Sequence, residues 1–350
     1  MAKKKTEEVV EGSNIEKIAA HIKKQSDNIS VFSSVEDVLT RGQVKIPWSP
    51  SLDKISGGGI RTGSWMSIGG RPKTGKTTSI LTLAANAQAL GYTVVYANVE
   101  MRLKDMNLNG VRGLDLSSEK FRVLESKKGK ILSSVDYLTN IEHCLKNIDK
   151  CFVIIDSISA LTHPKLFTDG LDTQLRGANN QHISSFCNVC APLVTINEAV
   201  VCGVVHLIAN TGARPGAPTS IEKSSNRYIY QCDYRYRIRG CSAWTVGEKQ
   251  IGVIPQFHCE ALAGGGYPGL TSETYVRFGM GVDSLFELIN DAVALNLIQA
   301  AGSWYSINFL EEGQNGQKFQ GMNNLYEAIL AQPTWENILE KKIKEFLNAS

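Results

Sequence analysis

The chain's most specific chemistry sits in nine consecutive residues, Gly70-Arg71-Pro72-Lys73-Thr74-Gly75-Lys76-Thr77-Thr78. They fit the pattern G-x-x-x-x-G-K-[ST], in which glycines let the backbone turn its N–H groups inward toward anionic oxygens. The apolar run Ser64–Ile68 precedes them and a helical run, Ser79–Ala87, follows, so the loop opens a helix whose positive dipole end favours phosphate. In such a loop Lys76 reaches β- and γ-phosphates, and the Thr77 hydroxyl ligates Mg²⁺. The expected ligands are therefore ATP and Mg²⁺, held by Gly70 through Thr78.

Three further residues close apolar runs. Asp156 ends Cys151–Asp156 and fits the acid that holds Mg²⁺ through water, beside Thr77. Glu100 ends the run 91–100, and a carboxylate there either polarises a water attacking the γ-phosphate or is an exposed strand end. Asn210 follows Val201–Ala209, where its amide either senses the γ-phosphate or forms a turn.

Positioning these groups takes a sheet. Apolar strands at 64–68, 91–100, 151–156 and 201–209 alternate with helical stretches such as 131–148 and 191–199, which predicts an α/β fold with a mostly parallel central sheet covered on both faces. Ligand groups gather at the carboxyl ends of such strands. The P-loop, Glu100, Asp156 and Asn210 all fall at that edge. Residues 228–239 alternate with period two and read as a further strand. The pattern turns helical near Val282, so a boundary is expected around Phe278–Asp283. The expected organisation is a tail and helix over 1–40, an ATPase core over 41–280 and a small α+β domain over 281–350.

Composition sets the outer limits. Hydrophobic residues make up 43% and charged residues 20%, ordinary values for a globular protein. No apolar run approaches the ~20 residues that span a bilayer, and the basic N-terminus lacks a signal-type hydrophobic segment. No membrane role and a cytoplasmic location are therefore expected. The eight cysteines form no disulfide framework, and Cys187-Asn188-Val189-Cys190, a lone C-x-x-C, reads as two buried thiols. Net charge is +3, unevenly spread: residues 283–350 carry nine acids and four lysines, and 211–249 carry seven bases and three acids. The central part thus bears a basic patch.

Two loops are candidates for function. Residues 211–227 are polar and rich in Gly and Pro, and Arg214, Lys223 and Arg227 suit contact with a phosphate backbone. Residues 163–172 form a second loop after Asp156. Both are open to the alternative of ordinary surface loops. The helix 14–25 places Ile15, Ile18, Ala19 and Ile22 on one stripe, buried either against its own core or against a neighbouring subunit.

Taken together these segments resemble the RecA family of recombinases over nearly the whole chain. Ser51-Leu52-Asp53 with Gly57-Gly58-Gly59-Ile60 is similar to the family's entry to the P-loop strand, and Asp156-Ser157-Ile158-Ser159-Ala160-Leu161-Thr162 to its D-S-[VI]-x-A-L-[TV] segment. Ala301-Gly302-Ser303-Trp304-Tyr305-Ser306 matches its A-G-x-W-Y-S, and the motif distribution suggests a phage-type relative. The resemblance implies a helical filament on single-stranded DNA, ATP between subunits, and strand exchange with double-stranded DNA. It also implies partners of the single-strand-binding or loader kind, and a place in the nucleoid or a phage-infected cytoplasm. It makes Glu100 and Lys76 catalytic, Asn210 the γ-phosphate sensor where bacterial members carry glutamine, and Thr77 with Asp156 the metal ligands. It places DNA contacts on Arg176, following the loop that begins near Ser157, and on Arg214, Lys223, Asn226 and Arg227 in the loop that begins near Thr211. The helix 14–25 corresponds to the element that packs on the adjacent protomer.

Departures are specific. Bacterial members touch the neighbour's ATP with a lysine pair, whereas residues 250–317 here hold no lysine and only Arg277. Asn107 stands where an aromatic lies near the adenine, and the 211–227 loop is richer in proline than in bacterial members. A ring helicase shares the core, but Trp304-Tyr305 argues against it. A regulatory paralogue without hydrolysis is opposed by the intact set Lys76, Thr77, Glu100 and Asp156.

Overall fold

The computed structural model describes residues 14–26, 32–169, 178–210, 220–222, 224–263, 267–311 and 315–349. The chain falls into two compact units, 1–43 and 44–350. In the first, Asn14–Gln25 is a helix, and Val35–Thr40 is a second, closed by a capping box between Ser34 and Asp37. Ile18, Val35, Val38 and Leu39 are all exposed.

The second unit is built on an 11-stranded sheet of described strands. The P-loop strand Ser64–Gly70 pairs in parallel with Val200–Ala209, which pairs with Cys151–Asp156, then Thr93–Asn98, then Phe121–Leu124. On its other side the P-loop strand meets Tyr234–Val246, the first arm of a long antiparallel hairpin completed by Lys249–Leu262. Alternation along each strand sorts the residues between two cores. Val94, Tyr96, Phe152, Ile154, Cys202 and Val204 face one core with Trp48 and the helix Lys76–Ala89. Val95, Ala97, Val153 and Ile155 face the other, with Tyr137, Phe186 and Tyr228. Both faces are covered, which is why the strands read as continuous apolar runs.

Two strand expectations change. The 91–100 run is a strand only over Thr93–Asn98, so Glu100 lies two residues beyond it in a turn. Residues Asn226–Gln231 form a short helix, and the alternating run becomes a strand only at Tyr234. The helical turn sets Tyr228 and Cys232, four apart, into one core, and the Tyr228 hydroxyl donates to the Met66 carbonyl at 2.8 Å.

Residues beyond Asp283 form their own apolar cluster, with Leu288, Ile298, Phe309, Leu325 and Trp335. It is built from the helices Ser284–Ala294, Met322–Leu330 and Pro333–Ala349 and a three-stranded antiparallel sheet that includes Trp304–Ile307. This cluster is tied to the core through Glu287. The buried Glu287 carboxylate accepts from Ser51 N (2.9 Å), Tyr275 N (3.1 Å) and the Thr274 hydroxyl. Nearby, Asp53 accepts from Trp48 N at 2.8 Å, and Trp48 Nε1 donates to the Ser79 carbonyl at 2.8 Å. The Ser51-Leu52-Asp53 motif is thus a joint between the P-loop helix and the C-terminal part. No described helix is long and apolar enough to cross a membrane.

Candidate functional site

The P-loop is shaped by its glycines. Gly75 has φ +83°, a conformation costly for residues with a Cβ, and it starts the Lys76–Ala89 helix, where Ser79 N donates to Gly75 O at 2.9 Å. A Cβ on Gly70 would sit 3.1 Å from Ile238 Cβ. The Thr74 hydroxyl donates to Arg71 O at 2.8 Å and braces the loop. Lys76 Nζ donates to the carbonyls of Gly70 (3.0 Å) and Arg71 (2.7 Å), which holds the ammonium on the floor of the cavity where phosphate oxygens would compete for it. Burial pulls the Lys76 pKa down, against the charges of Asp156 and Glu100.

That cavity is about 320 Å³, within the range of small-ligand sites. Pro72, Lys73, Lys76 and Thr77 line it from the loop, and Tyr96, Asn98, Asp156, Val204 and His206 from the strands. The five strand residues have even numbers on strands whose even positions face one core. Register then aligns them, because Asn98 pairs with Asp156 and Gly70 with His206.

Thr77 Oγ1 donates to Asp156 Oδ2 at 2.8 Å, and the Tyr96 hydroxyl donates to the same oxygen at 2.6 Å. A hydroxyl beside a carboxylate is an all-oxygen donor set suited to Mg²⁺, which keeps most of its waters and uses one or two protein oxygens. Thr77 and Asp156 would hold it, and when bound it supplies charge neutralisation at the phosphates. Tyr96 stays protonated, its pKa driven up by burial and by Asp156.

Glu100 stands at the mouth. Its Oε1 accepts from the buried Ser157 hydroxyl at 2.6 Å and from His206 Nε2 at 2.5 Å, while Oε2 lies 3.3 Å from the Arg102 guanidinium. Burial works against ionisation of Glu100, but Ser157, His206 and Arg102 outweigh it and the net shift is downward. An ionised carboxylate only accepts, so His206 carries its proton on Nε2. The His206 backbone N–H is fixed by the Ser159 hydroxyl at 2.8 Å.

The structure therefore brings together the loop Gly70–Thr78, Glu100 and Asp156. Asn210 is not among the cavity residues: it lies four positions beyond His206, ~13 Å further at the usual strand rise. His206, on the strand Val200–Ala209, does line the cavity. Its signal in the sequence was a lone ionisable residue inside the apolar run Val204-Val205-His206-Leu207-Ile208. Asn107, which stands where the family carries an aromatic, also lines the cavity. Arg277 is committed elsewhere: it pairs with buried Asp283 at 2.5 Å, and its guanidinium lies over the rings of Trp244 (4.5 Å) and Tyr326 (5.0 Å). Of the residues expected on DNA, Arg176, Arg214 and Lys223 lie outside the described residues. Asn226 and Arg227 are exposed at the start of their short helix, and Arg227 Nε donates to Asn188 Oδ1 at 3.1 Å.

Comparison with known proteins agrees with this geometry. The family described as "ATPase: KaiC" matches residues 49–181, the stretch from the Ser51 joint through Asp156. Protein RecA of Thermotoga petrophila is 25% identical over 306 residues, covering 85% of this chain and 81% of that protein. Protein RecA of Thermotoga maritima is 24% identical over 349 residues, covering 97% and 93%. That of Ehrlichia chaffeensis is 25% identical over 334 residues, covering 91% and 88%. With a P-loop, the Thr77–Asp156 pair and Glu100 gathered in one cavity, the chain has a RecA-like P-loop ATPase fold and is similar to RecA proteins over most of its length.

Proposed function

We propose that this protein is a DNA-dependent ATPase and recombinase that forms a helical filament on single-stranded DNA and promotes pairing and strand exchange with a homologous duplex. The observation that carries the reading is the contact between Glu100 and His206. His206 lies on the strand that precedes, in sequence, residues 211–227, the Gly/Pro-rich segment with Arg214, Lys223 and Arg227 read as a DNA-binding loop. A group beside the γ-phosphate site and a DNA loop on one strand let each ligand bias the other's binding.

In hydrolysis, the water oxygen bonds to the γ-phosphorus while the bond to the β,γ-bridging oxygen breaks, its electron pair leaving on ADP. Glu100 orients that water and takes its proton. Lys76 binds the phosphates. His206 exchanges its bond to Glu100 for one to the γ-phosphate and returns when phosphate leaves, so the strand end reports the nucleotide state. Residues 211–249, with a net charge of +4, supply contacts to the DNA backbone, and the stripe of the 14–25 helix, exposed at Ile18, supplies a contact between protomers.

The test is ATP turnover with and without single-stranded DNA, together with electron microscopy using a non-hydrolysable analogue. DNA should stimulate turnover, filaments should form, and Lys76→Ala should lower turnover by roughly 10²-fold or more. Retained DNA-stimulated hydrolysis in Lys76→Ala sinks the assignment, and rings or free monomers on DNA rule out the filament.

A further inference from the structure

Transfer of a γ-phosphoryl group needs positive charge around the three oxygens that spread in the transition state. Three long cationic side chains line the cavity: Lys73, Lys76 and Arg102. Lys76 is held by loop carbonyls on the floor. Arg102 belongs to neither the P-loop nor a strand, and its placement has a local cause. The buried Asn98 side chain accepts from both Arg102 N (3.1 Å) and Leu103 N (3.3 Å), and is itself held by Glu125 through its Nδ2 at 2.7 Å. The backbone at residue 102 is thus fixed relative to the strand that also carries Tyr96.

The side chain is a different matter. It is 76% exposed, and its guanidinium meets Glu100 Oε2 at 3.3 Å. One long contact uses little of a planar fork with five donors. Glu100 meanwhile has both oxygens engaged, Oε1 by Ser157 and His206 and Oε2 by Arg102. In that arrangement the carboxylate is poorly placed to accept a proton from water. An ion pair whose cation is this exposed is screened by water and contributes little to stability, so Arg102 can exchange it for a multiply charged phosphate.

We propose that Arg102 is a γ-phosphate ligand supplied from within the same chain, leaving Glu100 Oε2 for the phosphate when a nucleoside triphosphate enters. The exchange does two things: it adds a bidentate positive charge to the transferring group, and it frees Oε2 to take the proton of the attacking water. Arg102 forms no covalent bond and transfers no proton. The inference deepens the ATPase reading and rests on it.

The experiment compares full-length wild type, Arg102→Ala and Arg102→Lys in two assays: equilibrium binding of ADP and of a non-hydrolysable ATP analogue, and steady-state ATP hydrolysis. Arg102→Ala should lower kcat by roughly 10²–10³-fold, the loss typical of removing one donor from a developing charge. ADP affinity should stay within about threefold of wild type, while the analogue loses its advantage over ADP. Arg102→Lys should recover only part of kcat, because a point charge cannot reproduce the fork. Arg102→Ala turnover equal to or above wild type overturns the inference and makes Arg102 a mere restraint on Glu100. Equal weakening of ADP and analogue also overturns it, since the contact is then not to the γ-phosphate. A wild-type chain that hydrolyses no ATP overturns the ATPase reading and this inference with it.

Discussion

Asp156 Oδ2 accepts two hydroxyl protons, from Thr77 at 2.8 Å and from Tyr96 at 2.6 Å. With Mg²⁺ bound, Thr77 would offer its oxygen to the metal, and Tyr96 would be the group left to hold the carboxylate. Tyr96→Phe removes that hydroxyl and little else, since the ring is fully buried and keeps its stacked contact with Phe121 at 6.3 Å. A hydrogen bond to a charged group in such surroundings contributes about 1.5–3 kcal/mol. Expressed as metal affinity, that is roughly 10- to 100-fold, which matches the usual effect of losing a group that orients a ligand. Two measurements read it. Mg²⁺ titration of ATP hydrolysis at fixed ATP should show the half-saturating concentration rising by that factor, with kcat at saturating metal nearly restored. Denaturant unfolding without metal should show a stability loss of about 1.5–3 kcal/mol. A folded Tyr96→Phe with unchanged Mg²⁺ dependence refutes the role given to Tyr96.

Two further outcomes are expected. Gly203 lies in the His206 strand, where an added Cβ would stand 2.4 Å from the Tyr228 hydroxyl oxygen and 2.7 Å from Ile158 Cγ1. Gly203→Ala should cost about 1–3 kcal/mol by overpacking, and Tyr228→Phe in the same chain should recover part of it in urea denaturation; a neutral Gly203→Ala contradicts the packing argument. Asp53 has its pKa raised to about 6, chiefly by burial and further by Glu287, against the bond from Trp48 N. Because the folded value lies above the ordinary 3.8, the protonated form stabilises the fold at low pH and that contribution is lost as pH rises from about 4 to 6. The loss levels off at about 3 kcal/mol, by the usual conversion of pKa shift to free energy. Asp53→Asn keeps an acceptor for Trp48 N and does not titrate, so its stability relative to wild type should climb over that window and then stay constant. A difference independent of pH would show that the Asp53 proton is not linked to folding.

Reading the chain from its residues recovers what is coded locally. The P-loop needs glycines at fixed offsets and a lysine and threonine at the helix start, so Gly70–Thr78 is legible within nine residues. Strands buried on both faces read as apolar runs, and their carboxyl-terminal acids, Asp156 within its strand and Glu100 just past one, stand out against them. The α/β architecture follows from the same alternation. Tertiary structure decided which of the remaining polar groups share the cavity. Glu100 and His206 are 106 residues apart, and Tyr96 and Asp156 are 60 apart, so their contacts depend on the pairing register of parallel strands joined by long crossovers. A one-residue slip in either strand would turn Tyr96 or His206 to the opposite core. This is why Asn210, which also ends an apolar run, lies outside the cavity while His206, hidden within that run, lies inside it. The turn that swings Glu100 beyond its strand and brings Arg102 against it likewise rests on the Asn98 side chain, whose partners are set by three-dimensional packing and not by spacing along the chain.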